Sequence, residues 1–247
     1  MEEAADMEEE MNTYDEMGID KRIDWPRIRK LFVIGLAAGC MVFVGDMLLG
    51  CGVEDPTLTG FARTLSPYLT LSDGRIFWSA MLGLIGIPLE GLCYFGIYRL
   101  MVQKAPGHAH AYRSGILGYL IFGGCGVHVP CLACAFFYKY MMAQSPDTAL
   151  EAAIRFGSYF LMPGTVLFFI FFLVHSIAQI SAFAKGLTPY PKWCWIFSIP
   201  VGMAFTALLN VFGNHAVING ITAGWISVGN IWMFGGLLLI GRRSLPL

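Results

Sequence analysis

Charged residues are scarce in this sequence of 247 residues. Asp, Glu, Lys and Arg make up 13% of it, whereas hydrophobic residues make up 56%. An ordinary soluble domain has about a quarter of its residues charged, which it needs to cover its surface with polar groups. The shortage excludes a water-soluble domain of this size and indicates a protein of the lipid bilayer.

Motifs that build metal centres or disulfide frameworks are also missing. No HxxxH or HExxH sequence places two histidines on one face of a helix, as helical zinc sites do. The seven cysteines are an odd number, and most lie inside apolar segments, so they do not read as the framework of a small secreted protein. The sequence therefore identifies no cofactor and no catalytic residue.

The few charges are unevenly distributed. Nine of the 17 acids fall within residues 1–20, and a basic stretch containing Lys21, Arg22, Arg27, Arg29 and Lys30 follows directly. A segment this polar cannot bury enough apolar surface to fold by itself. Residues 1–30 are therefore predicted to be a disordered, acidic cytoplasmic tail with a basic juxtamembrane segment, and residues 242–247 a second cytoplasmic tail.

Six apolar runs have the length of about 20 residues that a helix needs to cross the hydrocarbon core of a bilayer. They cover residues 31–51, 76–100, 114–138, 158–183, 193–213 and 217–241. Turn residues and charges fall between the runs. The pattern predicts an all-α fold, a six-helix transmembrane bundle over residues 31–241, with no soluble domain inserted.

The positions of Lys and Arg predict how the bundle is oriented, because cytoplasmic flanks retain positive charge. With the N-terminus inside, twelve of the 16 basic residues fall on the inner side. The outer side keeps only four: Arg63, Arg75, Lys139 and Arg155. Both termini are therefore predicted to be cytoplasmic, in a multi-pass protein of the cell membrane.

An acidic residue lies within the second apolar run, in the stretch GIPLEGLCYFG at residues 86–96. Depth counting places Glu90 near the middle of the bilayer, where an ionised carboxylate costs about 3 kcal/mol or more. Pro88 removes a backbone donor two residues earlier, so a kink beside the acid is expected. Glu90 is therefore predicted to face a wet or partnered interior rather than lipid.

Further polar residues lie at similar depths in other runs. Rough counting along the helix axes brings Asp46, Glu90, His128 and Asn230 within about 10 Å of one another along the membrane normal. Asn210 belongs to a polar stripe on the fifth run, together with Thr206 and Asn214. These residues are the candidate binding site: Glu90, Asp46, His128, Asn210 and Asn230. They favour binding or transport of a small molecule through an outward-facing polar cavity.

Two enzymatic alternatives and one non-enzymatic alternative stay open at this point. Asp46, Glu90 and His128 are chemically suitable ligands for a catalytic metal. The CxxC pair Cys131 and Cys134 in HVPCLAC would suit an intramembrane thiol oxidoreductase. An accessory membrane subunit without chemistry of its own is the third. The lipid bilayer and a small molecule are the expected partners, nucleic acid is not, and the sequence indicates no oligomeric state.

The stretch SDGRIFWSAMLGLIGIPLEG, residues 72–91, together with the six-run layout, resembles an uncharacterised bacterial family of small multi-pass membrane proteins, a domain of unknown function. The resemblance covers residues 30–241. It implies a membrane bundle and brings no activity, so no catalytic role is carried over from it.

Overall fold

Helices account for nearly all of the regular structure. The computed structural model describes residues 23–244, except for the side chains of residues 242–244, and this part of the chain contains no β-strand. The helices are α1 (Trp25–Gly50), α2 (Gly60–Leu69), α3 (Asp73–Cys93), α4 (Phe95–Met101), α5 (Pro106–Phe122), α6 (Val129–Gln144), α7 (Pro146–Phe160), α8 (Met162–Ala184), α9 (Ile199–Leu209), α10 (Ala216–Ala223) and α11 (Trp225–Ser244). A π-helix, Gly123–His128, joins α5 to α6.

Four helical stretches are long and apolar enough to cross a membrane: Trp25–Gly50, Asp73–Met101, Pro106–Gln144 and Met162–Ala184. A fifth is added if α10 and α11, which meet at a bend of 66°, form one broken span. Large apolar side chains on these helices point outward, such as Phe77, 56% exposed, and Ile177, 63% exposed. Such surfaces suit contact with lipid rather than with water.

The first predicted run begins earlier in the structure than residue 31. Asp24 caps α1, because its carboxylate accepts a hydrogen bond from the backbone N–H of Arg27 at 3.0 Å, and Pro26 follows in the first turn. Residues 25–30, in the predicted juxtamembrane segment, are therefore helical. Residues 1–22 of the predicted tail lie outside the described residues. At the other end α11 continues to Ser244, past residue 241, where the last predicted run ends.

The fifth predicted run, residues 193–213, differs from a single span. It consists of a 3₁₀ segment, Lys192–Ile196, and a shorter apolar helix, Ile199–Phe212. Pro200 explains the break, since it lacks a backbone N–H and fits only the first turn of α9. The sixth run, residues 217–241, is broken at Gly224 between α10 and α11. The fourth starts at Met162 rather than at residue 158.

The GxxxG sequences at residues 35–39 and 220–224 lie in one interface, between α1 and the broken pair α10–α11. A Cβ added at Gly35 would lie 2.6 Å from the Phe234 ring, and one at Gly224 would lie 2.8 Å from the ring of Phe43. Without Cβ atoms the two backbones approach closely, which lets helices associate in lipid. This interface brings the start of α11 against the last turns of α1.

Candidate functional site

Asp46 in α1 and His128 at the end of the π-helix face each other. Nδ1 of His128 lies 3.8 Å from Oδ1 of Asp46, and Nε2 lies 2.9 Å from the carbonyl oxygen of Ser79 in α3. Because a carbonyl oxygen only accepts, Nε2 carries a hydrogen. When the ring is neutral, its Nδ1 lone pair therefore points toward the carboxylate, and the two acceptors leave room between them for a hydrogen from a third group.

The backbone around His128 explains how the ring reaches this place. Pro130 has no N–H, so the carbonyl of Gly126 loses its helical partner, and the glycine-rich stretch GGCGVH widens into a π-helix. In α3, Gly83 leaves the space that the imidazole fills, because a Cβ there would overlap the ring. The Asp46–His128 pair thus depends on Pro130, on the π-helix that precedes it and on Gly83 of α3.

Ser227 holds the other side of the Asp46 carboxylate. Its hydroxyl donates a hydrogen bond of 2.6 Å to Oδ2 of Asp46. Ser227 belongs to the first turn of α11, directly after the 66° bend that separates α10 from α11. The partial positive charge of a helix N-terminus favours a negative group there. The broken helix therefore presents its positive end to Asp46.

A cavity of about 310 Å³ opens beside the Asp46–His128 pair. Its polar wall consists of Asp46, His128, Ser227, Tyr68, Tyr119 and Cys131, and the remaining lining is largely apolar: Val42, Leu49, Ile87, Gly123, Val127, Leu132, Phe168, Ala223, Trp225 and Ile226. Small-molecule sites have this composition of apolar walls with a few placed polar groups.

The Tyr68 phenol comes from α2, outside the spanning segments. Burial, assisted by the nearby Cys131 and Cys134 thiols, raises the pKa of Tyr68, which keeps the phenol neutral and able to donate.

Glu90 lies behind the cavity wall in a separate hydrogen-bonded group. Its side chain is fully buried, and the Tyr119 hydroxyl donates a bond of 2.7 Å to its Oε2. The amide of Asn230 donates to Tyr119 at 3.3 Å and accepts from the Tyr94 hydroxyl at 2.6 Å. Oε1 has no partner among the described residues and faces α1, where a Cβ on Gly39 would lie 3.4 Å away.

Of the five predicted site residues, four form two neighbouring groups. Asp46 and His128 line the cavity, whereas Glu90 and Asn230 do not line it and are hydrogen-bonded to Tyr119, which belongs to both groups. Asn210 is separate, since it begins the exposed 3₁₀ turn Asn210–Phe212 and does not line the cavity. Its helix ends there, so the polar stripe predicted from steps of four residues does not continue.

The sequence did not single out the tyrosines. Tyr94 and Tyr119 lie in apolar runs where aromatic residues are usual, and the only available signal was that a buried tyrosine hydroxyl needs a partner. His175 lies in α8, within the fourth predicted run. It is fully buried and stacks on Tyr112 with ring centroids 4.3 Å apart, and neither of its ring nitrogens has a partner among the described residues.

The positions of these side chains give little support to the metal and thiol alternatives. Within residues 23–244 no group of three or more His, Cys, Asp or Glu side chains is placed to hold a metal ion, so Asp46, Glu90 and His128 do not form one ligand set. Both thiols of the CxxC pair are free. Cys131 lines the cavity, whereas Cys134 packs toward α7 with its sulfur 3.6 Å from the carbonyl oxygen of Ala153.

Apolar helices of spanning length, packed around a partly polar cavity, indicate an all-helical membrane protein. The chain belongs to DUF6796, a family of unknown function, whose sequence profile matches residues 11–243. This match confirms the resemblance expected from residues 72–91. No curated protein and no solved structure matches the chain.

Proposed function

We propose that the protein binds or transports a small molecule in the cavity between α1, α3, the π-helix and the broken helix α10–α11. The observation that carries this proposal is the cavity of about 310 Å³ with Asp46, His128 and Ser227 in its wall. Polar and ionisable groups inside a membrane bundle are costly, and they mark ligand or ion pathways when they surround a cavity. A broken helix at such a site is common in transporters.

The proposal includes six membrane crossings with both termini in the cytoplasm of the cell. The crossings are α1, α3–α4, α5–α6, α8, the 3₁₀ segment with α9, and α10–α11. Most cationic side chains at the proposed outer end bind neighbouring carbonyl or carboxylate groups. Arg75 donates to the carbonyls of Leu48 and Cys51 at 2.9 and 3.1 Å, Arg63 pairs with Glu54, and Lys139 pairs with Asp73.

In this orientation the cavity faces outward. Tyr68 lines it and belongs to α2, in the segment between the first two spans that the charge distribution assigns to the outer side. Asp46 is the carboxylate that a ligand meets. Glu90 has a different role, since Tyr119 separates it from the cavity. The hydrogen bond from the Tyr119 hydroxyl connects this buried acid to the ligand site.

A ligand screen on the purified full chain tests the proposal. We expect at least one compound from a panel of small cations, anions and neutral amphiphiles to raise the unfolding temperature of the protein. Val127→Phe fills the cavity without touching Asp46, so it should abolish that shift. Asn210→Ala, a polar site candidate outside the cavity, is the matched control and should keep it.

Two outcomes would contradict a ligand cavity. One is a panel in which no compound stabilises the wild-type protein, and the other is a shift that Val127→Phe preserves in full. Co-purification of a stoichiometric partner protein that buries the cavity mouth would instead support the accessory-subunit alternative.

A further inference from the structure

We propose that the ligand of this cavity is a small organic cation, an N–H-bearing ammonium group on an apolar or aromatic body. The inference rests on the proposed function, because it names the chemical class that the same cavity would take. Three independent features carry it: the charges of the lining residues, the geometry of the acceptors at the Asp46–His128 pair, and the aromatic walls.

The lining charges favour a cation. Asp46 is the one carboxylate among the described residues that line the cavity, and that lining contains no Lys or Arg. The N-terminus of α11 is the feature of the cavity that would best attract an anion, but the Asp46 carboxylate already occupies it through Ser227. An anionic ligand would find no cationic partner in the lining and would face the like charge of Asp46.

The acceptor geometry specifies an N–H donor. With Nε2 of His128 bonded to the Ser79 carbonyl, Nδ1 of the neutral ring and Oδ1 of Asp46 are both acceptors, 3.8 Å apart. That separation lets one ammonium nitrogen donate a hydrogen to each. A proton bound to Nδ1 of His128 would also supply a hydrogen to the Asp46 carboxylate. A proton and the cationic ligand therefore compete for the space between Nδ1 and Oδ1.

The remaining walls fit the body of such a ligand. Tyr68, Tyr119, Phe168 and Trp225 contribute aromatic surface, which attracts cations through the negative face of the rings. The volume of about 310 Å³ lies at the lower end of the range of about 300–1,000 Å³ seen for small-molecule sites. We therefore expect a ligand of about one ring with a short tail.

Cys131 is a reporter built into the cavity wall. The full chain in proteoliposomes is treated with the cationic reagent 2-(trimethylammonium)ethyl methanethiosulfonate or the anionic 2-sulfonatoethyl methanethiosulfonate, and peptide mass analysis measures labelling of Cys131. The ratio of the two rates cancels the reactivity of the thiol. We expect the cationic reagent to be favoured about tenfold over its ratio on a free thiol, and Asp46→Asn to remove that preference.

Asp73→Asn is the matched control, because it removes the same charge outside the cavity and should leave the ratio unchanged. An equal or inverted ratio on Cys131 in the wild-type protein would overturn the cation assignment and leave a water-filled cavity intact. Absence of labelling by both reagents would overturn the cation assignment and the proposed function together.

Binding of three probes of one shape gives a second measurement. Calorimetry on the purified protein compares 2-phenylethylammonium, 2-phenylethanol and 3-phenylpropionate. We expect the ammonium to bind about ten- to a hundredfold more tightly than the alcohol, the value of a hydrogen bond to a charged group, and the carboxylate to bind most weakly. Asp46→Asn should equalise the ammonium and the alcohol. Equal affinities in the wild-type protein would contradict the inference while keeping the cavity as a ligand site.

Discussion

The space for the His128 ring comes from Gly83, a residue of another helix. A single methyl group at that position would push the imidazole away from the Ser79 carbonyl, 2.9 Å from Nε2, and from Asp46. The polar pair in the cavity therefore depends on the absence of a side chain at position 83 as well as on its own two members.

We expect Gly83→Ala to destabilise the protein by about 1–3 kcal/mol, the usual cost of overpacking a filled interior. It should also weaken the binding of 2-phenylethylammonium, because His128 no longer faces Asp46. Gly74→Ala is the control in the same helix, since a Cβ there meets nothing within 4 Å. Equal stability of the two variants would show that the His128 ring is not confined by Gly83.

Tyr119 donates a hydrogen bond of 2.7 Å to the Glu90 carboxylate, and its hydroxyl also accepts from Asn230. Tyr119→Phe removes both of these bonds inside the bundle. We expect a loss of about 1 kcal/mol, within the range of membrane hydrogen bonds, measured as unfolding free energy in detergent.

Tyr112→Phe is the matched control for that loss. Its ring is also fully buried, but its hydroxyl has no partner in the part of the chain that the structure describes, so removing it should be neutral or stabilising. If both phenylalanine variants lose the same free energy, the Glu90 group contributes no specific stabilisation.

At the scale of elements, two departures from a straight α-helix border the cavity. The π-helix Gly123–His128 positions His128, and the bend between α10 and α11 positions Ser227. Each departure has a local cause in glycine or proline. Together they place polar groups at a depth where regular helices would present apolar side chains.

A substitution at Gly224, in the bend between α10 and α11, should displace a whole helical segment. A Cβ on Gly224 would lie 2.8 Å from the Phe43 ring and 3.2 Å from Cβ of Asp46, so Gly224→Ala should push α10–α11 away from α1. We expect a lower unfolding temperature and faster labelling of Cys131 by both reagents, because the cavity widens. Gly235→Ala is the control in α11, where the nearest atom would be 3.9 Å away. Unchanged labelling in Gly224→Ala would mean that the bend does not control the cavity.

At the scale of the whole molecule, the two ends of the bundle differ in their contacts. At one end Asn219 donates to the Gly52 carbonyl and to Asn214, which in turn bonds the backbone of Glu54, so the segment after α1 is fastened to the start of α10. At the other end Tyr190 packs on Trp25 and donates to the Leu237 carbonyl. The first end is the one proposed to face outward.

Cysteine accessibility tests that orientation. In intact cells, a membrane-impermeant maleimide should label Thr57→Cys, whereas Lys185→Cys should react only after the cells are permeabilised. Both positions are exposed and lie at opposite ends of the bundle. Peptide mass analysis separates the new sites from the seven native cysteines. The reverse pattern would invert the bundle, place the cavity mouth in the cytoplasm and contradict the charge-based assignment.

Composition and the lengths of the apolar runs determine the class of this protein, since lipid demands long apolar helices with satisfied backbones wherever the chain crosses it. The positions of Asp46, Glu90, His128 and Asn230 along their helix axes also follow from the sequence, because the rise of a helix is fixed. Their lateral neighbours do not follow. Asp46 meets His128 through a π-helix, and Glu90 meets Tyr119 through helix packing.

Local sequence therefore determined that this chain forms apolar helices and which polar residues they carry into the bilayer. Only the tertiary structure decided that Asp46 and His128 share a cavity, that Glu90 lies behind its wall, and that Asn210 belongs to neither group. The physical reason is that period and rise govern position along a helix, whereas rotation and contact between helices depend on side chains far apart in the sequence.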